Sequence, residues 1–245
     1  MDDSYERAGT IGFRCVADAV QPADGRPMSW NGEGTYCNAH NAAGNGMLCG
    51  QISTGKGYTD LTAVGGADWV HFGANDGDNS MFKMARKKVD SPMITIPTTK
   101  GRVTRYDGNS RGFFWSDGAG GMAVVSRAEA SDRGVYVGSD GLTFSVDALK
   151  GGNQYLVRVF VGVWEDRGSI DASLLSNGHS LDRFVDRTIY DAKGTANVCY
   201  EFMVDLSTVS AADIVSLLIK WTIDSGHGNI TLQSIAVEQI KERNA

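Results

Sequence analysis

The stretch Asn153-Gln-Tyr-Leu-Val-Arg-Val-Phe-Val-Gly-Val-Trp164 alternates without a break. Val157, Val159, Val161 and Val163 fall on one side of an extended chain, and Arg158, Phe160, Gly162 and Trp164 on the other. A helix would scatter these valines around its circumference, whereas β-branched residues at a period of two suit a pleated strand. Gly151-Gly152 before the stretch and Glu165-Asp166-Arg167-Gly168 after it read as turns. The stretch is therefore expected to be a long central β-strand.

Outward from it, the same pattern recurs. Regular alternation starts at Tyr58, runs through Ala67-Asp-Trp-Val-His-Phe-Gly73, and predicts strands near 81–88, 92–97, 101–106, 112–116, 121–127, 134–138 and 142–147. Beyond the central stretch it predicts strands at 168–175, 183–190, 197–205, 214–223 and 230–238. Ser210-Ala-Ala-Asp213 has the form of a helix cap, but Ile214–Ile223 fits a buried strand at least as well. The 31 glycines outnumber the 4 prolines, and Asp107-Gly108, Asp117-Gly118, Asp140-Gly141 and Asn177-Gly178 punctuate the chain at short-strand intervals. That spacing predicts an all-β sandwich or barrel.

Length and charge narrow the function classes. A chain of 245 residues, 42% hydrophobic, can bury one substantial core. Residues 1–57, rich in Gly, Asn and Pro towards their end, are read as a tail and irregular loop segment, and 58–245 as the sandwich domain. The net charge of -6 carries no basic cluster beyond Lys83–Lys88, read as a solvated edge strand. This excludes nucleic acid as an expected partner. No apolar run reaches membrane-spanning length and the first residues are too acidic for a secretion signal, so a soluble chain without membrane insertion is expected. The compartment itself is not read from the sequence.

Several stretches imitate catalytic or metal motifs and fail on context. Gly108-Asn-Ser-Arg-Gly112 spells a hydrolase nucleophile elbow, but strand-like Phe113-Phe-Trp115 follows where a helix is needed. A hydrolase using Ser110 would also require a Ser–His contact. Gly50-Gln-Ile-Ser-Thr-Gly-Lys56 has phosphate-loop spacing, but Gly57 stands where the magnesium-binding hydroxyl belongs. In Asn75-Asp-Gly-Asp-Asn79, twelve residues counted from Asp76 end on Lys87 and not on a bidentate Glu. This leaves at most a looser, structural calcium site. Cys37, His40 and Cys49 match no standard zinc spacing, so a Cys37–Cys49 disulfide or plain thiols are preferred, with Cys15 and Cys199 read as buried thiols. Glu165 and Asp166 are adjacent on a strand and point apart, unlike a glycosidase pair. His71, His179 and His227 read as structural.

What remains is aromatic and polar. Sugars stack their C–H faces on Trp and Tyr while fixed polar groups satisfy their hydroxyls. Three stretches fit that requirement: Tyr106 with Asn109 and Arg111, Trp115 with Asp117, and Trp164 with Asp166 and Arg167. The competing reading is core tryptophans at strand ends.

Two resemblances bear on these expectations. Residues 2–18, ending Gly-Phe-Arg-Cys-Val-Ala-Asp18, resemble the closing strand of the formylglycine-generating, sulfatase-modifying enzyme family. Cys15 would match its terminal-strand cysteine, and the family's copper-binding pair would lie before Met1. Residues 58–238 resemble a bacterial jelly-roll, galactose-binding-like carbohydrate-binding module, in Asp60-Leu-Thr-Ala, Asp68-Trp-Val-His-Phe-Gly, Phe114-Trp-Ser-Asp-Gly118, Gly134-Val-Tyr-Val137 and Gly228-Asn-Ile-Thr-Leu232. The second resemblance implies a jelly-roll-type β-sandwich that binds a glycan or polysaccharide without catalysis and needs no cofactor, in a secreted or cell-surface parent protein. A spacer or self-associating homo-oligomeric module is the alternative.

Overall fold

The central strand runs further than its alternation suggests. In the computed structural model, which describes residues 13–14, 46–53, 57–138, 140–224 and 227–240, it extends from Gln154 to Ser176 and joins the two strands expected at 153–164 and 168–175. In chain order the strands are β1 (Phe13–Arg14), β2 (Leu48–Ser53), β3 (Gly57–Asp60), β4 (Asp68–His71), β5 (Ala85–Arg86), β6 (Thr104–Tyr106) and β7 (Arg111–Phe114). They continue as β8 (Gly134–Val137), β9 (Leu142–Lys150), β10 (Gln154–Ser176), β11 (His179–Asp186), β12 (Tyr190–Asp205), β13 (Ile214–Ile223) and β14 (Asn229–Ile240).

β10 belongs to two sheets. Its first half pairs antiparallel with β14 as far as Trp164 and with β12 as far as Arg167; Trp164 lies opposite Thr195 on one side and Asn229 on the other. From Gly168 it pairs with β13, and from Ile170 also with β11. The first sheet has the order β1-β2-β12-β10-β14-β4-β5, with β8 beside residues 230–232 of β14 and β6 beyond β8. The second has the order β9-β13-β10-β11. The hand-over falls at Glu165, whose φ is 50°, and the register with β12 shifts between Trp164 and Asp166. Such irregularities bend a strand, and strands that change sheets through them form the corners of sandwiches.

Burial follows this corner. Tyr155, Val157, Val159, Val161 and Val163 are buried before it, and Ile170, Ala172 and Leu174 after it, so the inward set changes from odd to even positions. Phe144, Val146, Leu217, Ile219 and Trp221 join them in one core, each aliphatic side chain contributing about 1.5–3 kcal/mol by its burial. The architecture is an all-β, jelly-roll-type β-sandwich. A smaller cluster of Leu61, Trp69, Phe113, Trp115, Phe160, Cys199 and Ala236 packs on the outer face of the first sheet. There the parallel pair β3–β7 and one helical turn, α1 (Leu61–Val64), lie against it.

Some expected elements differ. Asp60-Leu-Thr-Ala opens the turn α1 and not a strand, because the Asp60 carboxylate caps it by accepting from the Thr62 and Ala63 amides. Residues 121–127 hold short 3-10 turns at Gly120–Met122 and Arg127–Glu129 in place of a strand. Leu48–Ser53 lies in a segment read as irregular, yet it is a sheet strand between β12 and β1. Gly50 within it has the Phe184 ring where a side chain would stand, so the glycine that suggested a loop makes room for a core ring. Beyond Phe13–Arg14, the tail read from residues 2–18 lies outside the described residues. Cys49 is disulfide-bonded; Cys37, the partner expected from the sequence, also lies outside them.

Just past the corner, a Cβ on Gly168 would run into the ring of Trp221, which is fully buried and has no room to swing away. Gly168→Ala is therefore expected to cost about 1–3 kcal/mol through overpacking, read as a lower denaturation midpoint. An unchanged midpoint would mean that the Gly168–Trp221 contact is not tight.

Candidate functional site

Residues opposite one another on neighbouring strands share a sheet face. On the outer face of the first sheet, β10 therefore sets out four successive rows, headed by Arg158, Phe160, Gly162 and Trp164. At Arg158 the row is ionic. Its guanidinium donates to Glu201 Oε1 at 3.0 Å, to Glu238 Oε2 at 2.9 Å and to the Val64 carbonyl at 3.0 Å. Gln51 continues the row from β2, its amide donating to Glu201 Oε2 at 2.5 Å.

At Phe160 the face opens into a cavity of about 250 Å³, lined among others by Tyr58, Arg111, Arg158, Cys199 and Glu201. The Arg111 guanidinium sits 4.9 Å above the Phe160 ring, a cation–π contact. Burial, with the Glu201 charge adding to it, pushes the Cys199 thiol up to about 12. It is a packed, unreactive group rather than a nucleophile.

At Gly162 and Trp164 the face is uncharged. A Cβ on Gly162 would meet Asn197 Oδ1 and Thr231 Oγ1, so the glycine lets two polar side chains converge from β12 and β14. The Gln233 amide, at a register shift of β14, donates to the Tyr106 hydroxyl at 2.6 Å, to Thr231 Oγ1 at 2.7 Å and to Asn197 Oδ1 at 3.2 Å. Burial raises the Tyr106 phenol above its ordinary range, and the bonds from Thr231 and Gln233 only partly oppose this. Tyr136 lies opposite Thr231, its ring 6.5 Å from that of Tyr106. Trp164 ends the face between Thr195 and Asn229 and is 40% exposed, while its inward neighbour Val163 is fully buried.

The structure sorts the sequence-derived candidates. Trp164 stands outward and accessible. Asp166 is buried, accepting from the Gly228 amide at 3.3 Å and the Arg167 amide at 2.6 Å, so it braces the corner from within. Arg167 turns aside, 5.4 Å over the Tyr190 ring and donating to the Arg187 carbonyl. Tyr106 and Asn109 come together, Asn109 donating to the Tyr106 hydroxyl at 3.5 Å, while Arg111 lines the cavity. Trp115 is 1% exposed and its indole N–H donates to the Met122 carbonyl at 2.7 Å, which makes it a core residue with no face free for stacking. Asp117 accepts from Thr62 Oγ1 and Trp69 Nε1, each at 2.8 Å, and pairs with Lys87. Burial opposes its ionised form, but the bonds from Lys87, Trp69 and Thr62 together hold the carboxyl below the usual range. Asn197, Asn229, Thr195, Thr231, Gln233 and Tyr136 are not among those candidates, because only strand register brings them onto the face that Trp164 ends.

The motif look-alikes resolve locally. Gly50 lies inside β2 and Ser110 directly precedes β7. Asp78 accepts from the Ser80 and Met84 amides, and Asp76 pairs with Arg105 and Arg133. Among the described residues no group of three or more His, Cys, Asp or Glu is placed to hold a metal. A Ser–His contact does exist, with Ser131 and not Ser110. His71 Nε2 lies 2.8 Å from Ser131 Oγ, and Nδ1 lies 2.8 Å from the Gln233 carbonyl. A carbonyl can only accept, so Nδ1 carries the proton and Nε2 accepts from the serine. Flanked by the rings of Phe113 and Trp115 and fully buried, the imidazole ties β4 to β14.

No protein-family model matches the chain, and no curated protein matches it. Among solved structures it is similar to the enzymatically active domain of bacteriophage CBA120 tailspike protein 4, with TM-score 0.35 and 11% identity over 60% of this chain and 19% of that one. TmCBM61 in complex with β-1,4-galactotriose gives 0.36 and 10% identity over 59% of this chain and 88% of the module. The CBM22-1 xylan-binding domain of Paenibacillus barcinonensis Xyn10C gives 0.33 and 7% identity over 70% and 93%. At this level of similarity the function has to be read from the face itself.

Burial lowers the His71 pKa from 6.5 to about 4. The folded state thus binds fewer protons than the unfolded chain, so this contribution is intact above about pH 6.5 and is lost as pH falls towards 4. The loss is expected to reach about 3 kcal/mol. Denaturant stability measured between pH 7.5 and 4.5 should fall less in His71→Gln than in the parent, and equal slopes would show that His71 is not the group responsible.

Proposed function

We propose that the chain is a non-catalytic carbohydrate-binding β-sandwich module whose glycan lies on the outer face of the first sheet, across the rows headed by Gly162 and Trp164. The observation that carries this reading is an exposed indole in register with Thr195 and Asn229, next to a row of Asn197, Thr231 and Tyr136. An indole accepts the C–H face of a pyranose, and amides and hydroxyls provide the donors and acceptors that sugar hydroxyls need. The bonds from Gln233 fix the orientation of Asn197 and Thr231, which lowers the entropy lost on binding.

The corner carboxylates favour binding over hydrolysis. Glu165 is exposed while Asp166 is buried on backbone amides, whereas glycosidases need two carboxyls converging across one sugar. On this reading the module serves a larger secreted or surface protein, and the tail resembling a formylglycine-generating enzyme strand would connect it to a neighbouring domain.

Trp164→Ala tests the site. Glycan binding, screened on an array and quantified by calorimetry, is expected to weaken roughly tenfold or more, while folding stability changes by no more than about 0.5–1 kcal/mol, as for a surface substitution. A large drop in melting temperature with binding intact would place Trp164 in the core and remove the site.

A further inference from the structure

Charge separates this face from its surroundings. Between Trp164 and Tyr106 it presents Thr195, Asn197, Asn229 and Tyr136, with Thr231 and the Gln233 amide buried among them, all neutral. Its margins are acidic. Glu165 is exposed directly after Trp164, and Asp107 is exposed directly after Tyr106. Asp132, also exposed, accepts from the Gly108 amide and is close enough to Tyr106 to raise its phenol further. Arg105 and Arg133 are directed towards Asp76 and Arg167 over Tyr190, while exposed Lys193, two residues before Thr195 on β12, is a cation beyond the Trp164 end. An approaching anion therefore meets carboxylates at both ends of the face, and fields from exposed charges act over roughly a Debye length, about 10 Å at 0.1 M salt.

Geometry adds a length requirement. Tyr136 is two strands from Trp164 across β14, and two residues along, because Thr231 lies opposite both Gly162 and Tyr136. With strands about 4.8 Å apart and a rise of about 3.4 Å per residue, the two rings are anchored about 12 Å apart. One pyranose ring cannot touch both.

Resting on the glycan-binding reading, we infer that the face selects an uncharged, linear oligosaccharide of three or more sugars, laid from Trp164 to the Tyr136–Tyr106 pair, and turns polyanionic glycans away. Trp164 holds one end, the tyrosines hold the other, and the amides read the hydroxyls between. Glu165, Asp107 and Asp132 act as an electrostatic fence that makes no contact with the neutral ligand.

The test is calorimetry on the full chain with size ladders of neutral xylo-, gluco- and β-1,4-galacto-oligosaccharides, against oligogalacturonate and heparin fragments, in 20 and 500 mM NaCl. Expected is at least one neutral series whose affinity rises about tenfold or more from monosaccharide to trisaccharide and does not respond to salt. The acidic probes should bind at least about tenfold more weakly, and that gap should narrow in the Asp132→Asn/Glu165→Gln double variant. Tighter, salt-sensitive binding of the acidic probes, or a monosaccharide that binds as well as the trisaccharide, would overturn the inference and leave the glycan-binding reading standing. Failure of every neutral and acidic glycan to bind would overturn both.

Discussion

One strand carries the sandwich, and one residue on it decides how. β10 can serve both sheets only if its direction changes within the strand, and Glu165, at a φ of 50°, makes that change. Without it the odd-numbered positions that bury the valines would go on facing inward, and Ile170, Ala172 and Leu174 would face solvent. The gain from burying that second apolar set far exceeds the roughly 1–3 kcal/mol that a strained backbone residue costs, so the core holds Glu165 in its conformation. The Asp166 carboxylate, bonded to the Gly228 amide, ties the corner to the start of β14.

The same corner makes the outer face. Trp164 is the last residue of β10 before the break, so its ring stands where the sheet bends away. At the other end of the face, α1 and the β3–β7 pair cover the rows of Arg158 and Phe160 and bury Trp69, Trp115 and His71 beneath them. Chemistry therefore grades along one strand, from a closed ionic row through a cation–π cavity to an open neutral surface. Gly162 marks the passage, since any side chain there would displace the Asn197 and Thr231 groups that Gln233 holds.

The fold was legible because the alternation from Val157 to Val163 is local and nearly complete. The corner was not. Glu165-Asp166-Arg167-Gly168 has the composition of a turn, and whether a polar tetrad ends a strand or bends it depends on partners more than twenty residues away, Tyr190 and Ile223 among them. Burial misled in the same manner. Trp115-Ser-Asp117 and Trp164-Glu-Asp166 look alike as sequence, yet one tryptophan lies under a covering segment and the other at a sheet corner. The polar residues beside Trp164 left no trace near it in the chain, because β-register brings residues 195, 197, 229 and 231 to it from two other strands. Leu48–Ser53 escaped notice since a glycine-rich approach hid a strand that its neighbours β12 and β1 define.

The continuity of β10 also bears on mechanical load. A polymer bound at Trp164, as proposed, would pull on a main chain that passes unbroken into both layers, flanked by β12 and β14 on one side of the corner and by β13 and β11 on the other. Tension entering there is shared among ladders on four neighbouring strands, which must shear together, whereas an edge strand could be peeled away one hydrogen bond at a time. The proposed attachment point would thus lie on a strand held by hydrogen-bond ladders on both of its sides in either layer.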